Sequence, residues 1–413
     1  LKILYIAYEV PFFPGGTGGE IRQYCLLQEL VQRHDYHYVG PYKEGDRFQI
    51  LQRFFKKLYM PKKRTLSDKI CSFVSKRQDQ GFPQFVQICE WHRHELIPLV
   101  KLAVAQNKYD LIHVEHTNIA HWLHEIASDL PKVIVSHNVK TIMWKRYADH
   151  AHGKLKRKYE RDYKRFKEYE GKYLNDFDCV CAVSETDREA FDDICNGSVP
   201  IKLVPNGCDT VYFKPDSSSV ITGEMVFAGT MYYDANIDAM LFFCDKILPL
   251  IQAQFPSCHV TIVGRNPPNE IIALEKLGNV KVTGFVKDVR PYLKSANVIV
   301  VPLSQGSGTR LKILDAMAMG KAIVSTTIGA EGIDYGNGKN IMIADEPEDF
   351  AKCVLDLIRN EGLCTSLGVN ARDLVDEKYS WKIIANQLDE AYRFAVETRR
   401  NFSNGPRDGT VES

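Results

Sequence analysis

Two successive α/β domains, each built on a mostly parallel sheet, are what this 413-residue sequence predicts. Three observations carry the prediction. Short apolar, β-branched runs alternate with helical stretches through two series, the pattern of β–α units in a parallel sheet. Between the series lies Lys214-Pro-Asp-Ser-Ser-Ser219, a linker by composition. In each series a strand leads into a Gly-rich turn that opens a helix, which presents backbone N–H groups to an anion.

Composition agrees. The length suits two domains, and 45% hydrophobic with 25% charged residues is globular. A formal net charge of +1 argues against a nucleic-acid partner. No apolar run approaches the roughly 20 residues of a membrane span, and nothing at the start reads as a signal peptide. Eleven scattered cysteines without a C-x-x-C predict reduced thiols, no metal site and a cytoplasmic setting.

In the first series, residues 2–7 form a strand that runs into Pro11-Phe-Phe-Pro-Gly-Gly-Thr-Gly-Gly19 and a helix over 20–32. The glycines do not follow G-x-G-x-x-G, so the loop predicts close approach to a ligand rather than a dinucleotide site. Residues 43–95 interrupt the rhythm. Within them, 53–64 interleave bases with aromatics and read as a solvated basic helix, with a weak membrane-surface contact as the alternative. A helix over 96–106 tolerates Pro98 only in its first turn. Strand 109–114, helix 119–130 and strand 132–136 follow, and the last ends in His137-Asn138. Ligands of open α/β sheets sit beyond the carboxyl ends of strands, which makes His137 a candidate contact for a reacting group.

Residues 140–175 read as one long charged helix with internal ion pairs. Asp176-Phe-Asp178 has the Asp-x-Asp form of metal-dependent sugar transferases, but it lies at a strand's entrance and is a decoy. Ser184 caps the next helix toward Asp187, and strand 201–205 ends the series.

The second series has strands at 224–229, 259–263, 280–283, 297–301 and 322–326. Helices are expected at 237–254, 289–295, from Thr309 to Gly320, and at 347–360, 362–374 and 381–399, with a disordered tail over 400–413. Arg310 and Lys312 fall in the first turn after Gly306-Ser-Gly308. A cation there costs about 0.3–1 kcal/mol against the helix dipole. An anion about 4 Å from a cation returns roughly 4 kcal/mol at an effective dielectric near 20. The turn is therefore read as a diphosphate cradle.

These residues resemble, in order and spacing over nearly the whole chain, the retaining glycosyltransferase family 4 of the GT-B fold. The resemblance rests on Gly15-Gly16-Thr-Gly18-Gly19-Glu-Ile-Arg22, His137-Asn-Val, Ala182-Val-Ser-Glu185 and Val204-Pro-Asn-Gly207. It continues through Phe227-Ala-Gly229, Val263-Gly264, Gly284-Phe-Val-Lys-Asp288 and the 301–321 stretch, and points to a subgroup with a G-S-G-T-R-x-K turn. It implies two Rossmann-like domains facing a central cleft. These are an acceptor domain, 1–212, completed by a C-terminal helix over about 380–399, and a donor domain, 220–379.

The implied activity is transfer of a sugar, with retention, from a nucleotide-diphosphate donor to a glycan, lipid-linked or small natural-product hydroxyl. No metal or other cofactor is implied. His137, Arg310 and Lys312 take the catalytic positions. Gly16, Gly229, Arg265, Phe285, Val286, Ser307, Gly308, Thr309 and Asp315 take donor positions, and Gly18, Gly19, Arg22 and Asn138 face the acceptor. The family's paired glutamates, eight positions apart, become Ser307 and Asp315, and its Arg and Lys after the second domain's first strand are absent from 229–236. The lost carboxylate leaves two alternatives: a non-catalytic nucleotide-sugar-binding relative or subunit, and a GT-B-shaped epimerase. A peripheral membrane location is the alternative to a purely cytoplasmic one.

Overall fold

Seven parallel strands in the order β3-β2-β1-β4-β5-β6-β7 form the sheet of the first unit. The computed structural model describes residues 1–13, 16–62, 82–126, 129–216, 220–305 and 308–404. The first unit is Leu1–Val204 with the chain from Ala385 on, and the second is Pro205–Ile384. The sheets are those of two Rossmann-like domains, the GT-B fold.

The first unit runs β1 (Lys2–Ile6), α1 (Gly18–Leu30), β2 (Asp35–Val39), α2 (Asp46–Phe54), β3 (Lys57–Tyr59) and α3 (Gln84–Gln106). It continues with β4 (Leu111–Glu115), a 3-10 segment (Thr117–Glu125), β5 (Lys132–Val135), α4 (Lys140–His150) and α5 (Gly153–Tyr173). Then come β6 (Cys179–Ala182), α6 (Glu185–Cys195) and β7 (Ile201–Leu203). The central strands β4 and β6 are buried along their whole length because helices cover both faces, which is why they read as mostly apolar runs. One face packs Leu4, Ile6, Ile112, Val114, Ile134 and Val180 against Trp122, Trp144 and Phe166. On β1 and β2, Tyr5, Tyr36 and Tyr38 alternate with these positions and pack with Phe55.

Several expectations for this unit are corrected. Among the described residues of 43–95 the chain forms α2, β3 and the start of α3, while 63–81 lie outside the described residues. The strand Asp35–Val39 was hidden by its polar D-Y-H-Y-V sequence, and Lys57–Tyr59 pairs with it as an edge strand. The 53–64 stretch is thus the end of α2 and β3 rather than a basic helix, with 63–64 outside the described residues. Helix α3 begins at Gln84, so exposed Pro98 lies in its interior instead of its first turn. The segment after β4 is a tight 3-10 run that stops at Glu125. The charged stretch is two helices, broken at Ala151 and His152.

The second unit has six parallel strands in the order β10-β9-β8-β11-β12-β13. Its elements are β8 (Glu224–Ala228), α7 (Asp234–Phe242), a π turn (Phe243–Ile247), α8 (Leu248–Gln252), β9 (His259–Val263) and α9 (Asn269–Ile272). After these come β10 (Val280–Gly284), α10 (Arg290–Ser295), β11 (Val298–Val301), α11 (Leu311–Ala318), β12 (Ile323–Ser325) and β13 (Met342–Ile343). The helices α12 (Pro347–Arg359), α13 (Glu361–Lys378) and α14 (Trp381–Asn404) follow. The two-residue β13 is too short to show a period and was not expected.

The boundary expected at 212 shifts to 204/205. Residues 205–213 pack into the second unit: Cys208 bridges to Ser380, and Arg372 donates to the carbonyls of Thr210 and Phe213. From Ala385, α14 belongs to the first unit and is helical to Asn404, so residues 400–404, expected in a disordered tail, are helical. The linker residues 217–219 and the tail 405–413 lie outside the described residues.

A proline inside a helix removes one backbone hydrogen bond, and its ring crowds the carbonyl four residues earlier. Pro98→Ala should therefore raise the melting temperature, by an amount corresponding to about 1–3 kcal/mol. A lower melting temperature would mean that the packing of α3 requires proline at this position.

Candidate active site

Strand order reverses between β1 and β4 in the first unit and between β8 and β11 in the second. Ligand crevices in open α/β sheets form at such reversals, beyond the carboxyl ends of the strands. Each reversal carries a cluster of charged side chains.

In the first unit the centre is Glu115, the last residue of β4 and 2% exposed. His137, just past β5, places Nε2 at 2.5 Å from Oε1 of Glu115. His113 Nε2 and the Tyr5 hydroxyl donate to Oε2 at 2.6 and 2.9 Å. Burial pushes the Glu115 carboxyl up, but these hydrogen bonds and the two imidazoles outweigh it and hold it well below its ordinary range. An ionised carboxylate only accepts, so His137 carries its proton on Nε2 and turns the lone pair of Nδ1 outward.

Burial first, and His116 second, bring the His137 pKa down to about 4. The ring is therefore neutral near pH 7, a hydrogen-bond acceptor rather than a cation. His116 stacks on it with ring centroids 3.9 Å apart and bonds Glu9 at 3.2 Å. The backbone of His116 has φ 76 and ψ 136, which for a non-glycine residue costs on the order of 1–3 kcal/mol. That strain turns the imidazole back over His137.

Helix α1 starts against this group. Thr17 caps it in a reciprocal box with Glu20, and Gly16 precedes the cap. A Cβ on Gly19 would fall 2.8 Å from Nδ1 of His137, so only glycine admits the imidazole there. Gly18 is the first residue of the helix, and Asn138 is half-buried beyond His137. Arg22, expected to face an acceptor, is instead 1% exposed and donates to the Val204 carbonyl at 2.6 Å. Burial lowers its pKa to about 10, while Glu115 opposes the shift. It acts beneath the surface.

In the second unit the centre is Lys312, in the first turn of α11. Its Nζ donates to Asn236 Oδ1 at 2.8 Å and sits 3.9 Å from the Phe227 ring centroid. It pairs with no carboxylate among the described residues. Burial, then the neighbouring Arg310 charge, pull its pKa well below the usual lysine value. A Cβ at position 229 would lie 2.7 Å from Nζ, so Gly229 is what lets β8 end over the ammonium. Arg310 is the cap residue of α11 rather than a member of its first turn, and donates to the Gly308 carbonyl at 2.7 Å. Gly308 has φ +79, and Thr309 is buried beneath the turn with its carbonyl facing Asn206. Gly306 and Ser307 lie outside the described residues.

Asp315 follows Lys312 on α11 and accepts from the Cys208 thiol at 3.3 Å. Burial raises its pKa to about 7; the Cys208 bond opposes this and Asp209 adds to it. Arg265, beyond β9, lies over the Tyr232 ring at 5.7 Å. Past β10, Phe285 is 65% exposed and Val286 half-buried. Asp178, read as a decoy, accepts from the Lys132 backbone at 2.8 Å and holds β5 to β6. Among the described residues no group of three His, Cys, Asp or Glu side chains is arranged to hold a metal ion. No described helix is long and apolar enough to cross a membrane.

Sequence reasoning missed Glu9, His113, Glu115, His116, Asn236 and Phe227. Two signals were available for the β4 group. The alternation of His113 with Glu115 puts two polar side chains on one face of an otherwise apolar strand, and the second stands at its carboxyl end. Asn236 and Phe227 carry no such signal, because both are ordinary helix and strand residues until Lys312 is placed between them.

Two outcomes follow from these environments. Glu115→Gln adds an amide donor to the acceptor, so His137 should become a mixture of tautomers by long-range nitrogen–proton NMR. Retention of a pure Nε2–H form would refute the positioning role. Asp315 keeps its proton to about pH 7 when folded, but loses it near 3.8 when unfolded. The stability this confers is full below pH 4 and fades as pH rises through 7. The melting temperature of Asp315→Asn relative to the native chain should therefore climb between pH 5 and 8; a flat difference would show that Asp315 ionises normally.

The comparisons with known proteins divide the chain between residues 212 and 222, a little after the structural boundary at 204/205. The family described as Glycosyltransferase Family 4 matches residues 16–212, and that described as Glycosyl transferases group 1 matches residues 222–360. A 44.6 kDa protein of uncharacterised function from the cps region of Klebsiella pneumoniae is 23% identical over 407 residues, covering 94% of this chain and 98% of the relative. The phosphatidyl-myo-inositol mannosyltransferase of Mycolicibacterium smegmatis is 24% identical over 46% of this chain and 50% of its own length. Among solved structures, sucrose-phosphate synthase from Thermosynechococcus elongatus superposes with a TM-score of 0.70 at 16% identity, over 96% of this chain and 99% of that one. HepE of Anabaena, in complex with UDP and glucose, superposes with a TM-score of 0.67 at 14% identity, over 95% and 99%. With two glycosyltransferase families matched in succession on two Rossmann-like sheets, the chain belongs to the glycosyltransferases of the GT-B fold.

Proposed function

We propose that this glycosyltransferase takes a sugar from a nucleotide diphosphate and passes it to an acceptor hydroxyl with retention of anomeric configuration, without a metal ion. The observation that carries the reading is Lys312, a withdrawn ammonium beside Arg310 with no carboxylate partner among the described residues. Two adjacent cations at a helix start suit a diphosphate, whose charge grows as it leaves. The UDP and glucose bound by HepE support a donor of this class.

In this reading the C1–oxygen bond to the diphosphate breaks toward Lys312 and Arg310. The acceptor oxygen bonds to C1 on the same face, and its proton passes to the departing phosphate oxygen. The cations stabilise the charge where it develops, which is the role a divalent ion takes in other transferases. Gly229, Gly308 and Thr309 line the diphosphate with backbone, and Asp315 meets the ribose hydroxyls. Arg265, Phe285 and Val286 lie toward the nucleoside. Neutral His137 accepts a hydrogen bond from a sugar hydroxyl through Nδ1, Gly16 lies on the donor side, and Gly18, Gly19 and Asn138 leave room for the acceptor.

Lys312→Met should lower turnover by about 10²-fold or more while the melting temperature stays near that of the native chain. Native turnover in this variant would remove the cradle. With the purified chain and a nucleotide-sugar donor, NMR of the product should show the donor's anomeric configuration, and dialysis against EDTA should leave the rate unchanged. An inverted product would refute retention, and a chelator-sensitive rate would refute metal independence.

A further inference from the structure

Helix α5 carries nine basic residues against four acids, and two of those acids, Asp162 and Glu170, are buried. Its outer face is therefore far more cationic than a chain of net charge +1 would suggest. Lys154, Lys156, Arg157, Lys158, Arg161 and Lys164 are all exposed. None of the six forms an ion pair or hydrogen bond among the described residues, although Glu160 and Glu168 stand on the same helix. The expected lacing of this stretch by internal ion pairs is thus absent from that face. Like charges at helical spacing repel by a few tenths of a kcal/mol per pair, and Glu160, three residues after Arg157 and four before Lys164, is the one exposed acid within the stripe.

We propose that this face of α5 is a docking surface for a linear, polyanionic glycan, the extended acceptor of the transfer. The inference rests on the reading of the first unit as the acceptor domain. Lys154, Arg157 or Lys158, Arg161 and Lys164 succeed one another at i, i+3 and i+4. They form a stripe about 15 Å long with a cation every turn, about 5.4 Å. A glycan with an ionised group on each sugar presents charge at comparable intervals, whereas a single small anion would engage one turn only.

Placement favours an acceptor as well. The α4–α5 pair follows β5 directly, with α4 starting three residues after His137. A polymer held on α5 is thus anchored to the unit that carries His137. A membrane is the poorer match. The large apolar side chains of the helix, Phe166 and Tyr169, are turned into the core, and Leu155 is its one large exposed hydrophobic residue. An interfacial helix needs an apolar face to insert. A single-stranded nucleic acid is poorer still, since Tyr159, Tyr163 and Tyr173 pack against the core instead of offering stacking platforms.

The test uses the full chain and the triple variant Lys154→Glu, Arg157→Glu, Arg161→Glu. Binding of fluorescent polygalacturonate oligomers should be salt-dependent and fall about 10-fold or more in the variant. Neutral dextran of equal length should bind neither protein. The variant's melting temperature and its donor hydrolysis should match the native chain, because none of the three residues touches the donor cluster. No salt-dependent binding by the native chain would overturn the proposal, as would equal binding by the variant. So would tighter binding to phosphatidylserine vesicles or to a single-stranded oligonucleotide. A native chain that binds the oligomer but neither hydrolyses nor transfers from any donor would instead refute the transferase reading and leave the polyanion surface standing.

Discussion

An ammonium group withdrawn from water over an aromatic ring, Lys312 on Phe227, is the constraint around which the carboxyl edge of the second sheet is arranged. A cation–π contact returns about 0.5–2 kcal/mol and a neutral amide acceptor about 1.5–3, less than the several kcal/mol that taking the charge out of water costs. The deficit shows as a lowered pKa. A doubly charged ligand within about 4 Å would reverse it. The neighbouring choices follow: glycine at 229 so that a strand can end on the ammonium, Asn236 to orient it, and Arg310 folded back over its own turn.

The first unit solves the inverse problem. Glu115 is also a buried charge at the same kind of sheet reversal, but it is met by three donors within the unit. That network closes on itself: the Tyr392 hydroxyl bonds His113 Nδ1 at 2.8 Å, and Tyr5 stacks on the same imidazole. A satisfied network of this kind is rigid before any ligand arrives. What it offers outward is one atom, Nδ1 of His137, in one tautomer. Of the two charged groups, the first holds a geometry and the second waits for a counter-charge.

The parallel-sheet architecture was legible because a doubly covered strand is mostly apolar, as β6 and β11 are throughout and β1, β4 and β8 are apart from Lys2, His113, Glu115 and Glu224. Strands β2 and β3 were not legible. Asp35–Val39 buries tyrosines and a histidine whose hydroxyl and ring atoms suggest a surface, and Lys57–Tyr59 is an edge three residues long. Pro98 misled in the same way, since α3 runs through a proline that local rules would place at a helix start. The charged 140–175 stretch was recognised as helical. Its break, and the turning inward of Asp162 and Glu170, depend on how α4 and α5 pack together.

The family resemblance supplied Asp315; by itself the sequence determined the two series of β–α units and the candidates His137, Arg310 and Lys312. Those are local matters, set by periodicity, by glycine-rich turns and by where a strand must end. Tertiary structure alone decided that Arg22 lies beneath the surface and that residues 205–213 pack with the second unit. It also decided that Asp315 holds its proton to about pH 7, because burial sets that pKa. The same holds for His137. Burial and the stacked His116 hold its ring neutral, and Glu115, 22 residues away in the chain and 2.5 Å away in space, fixes which nitrogen carries the proton.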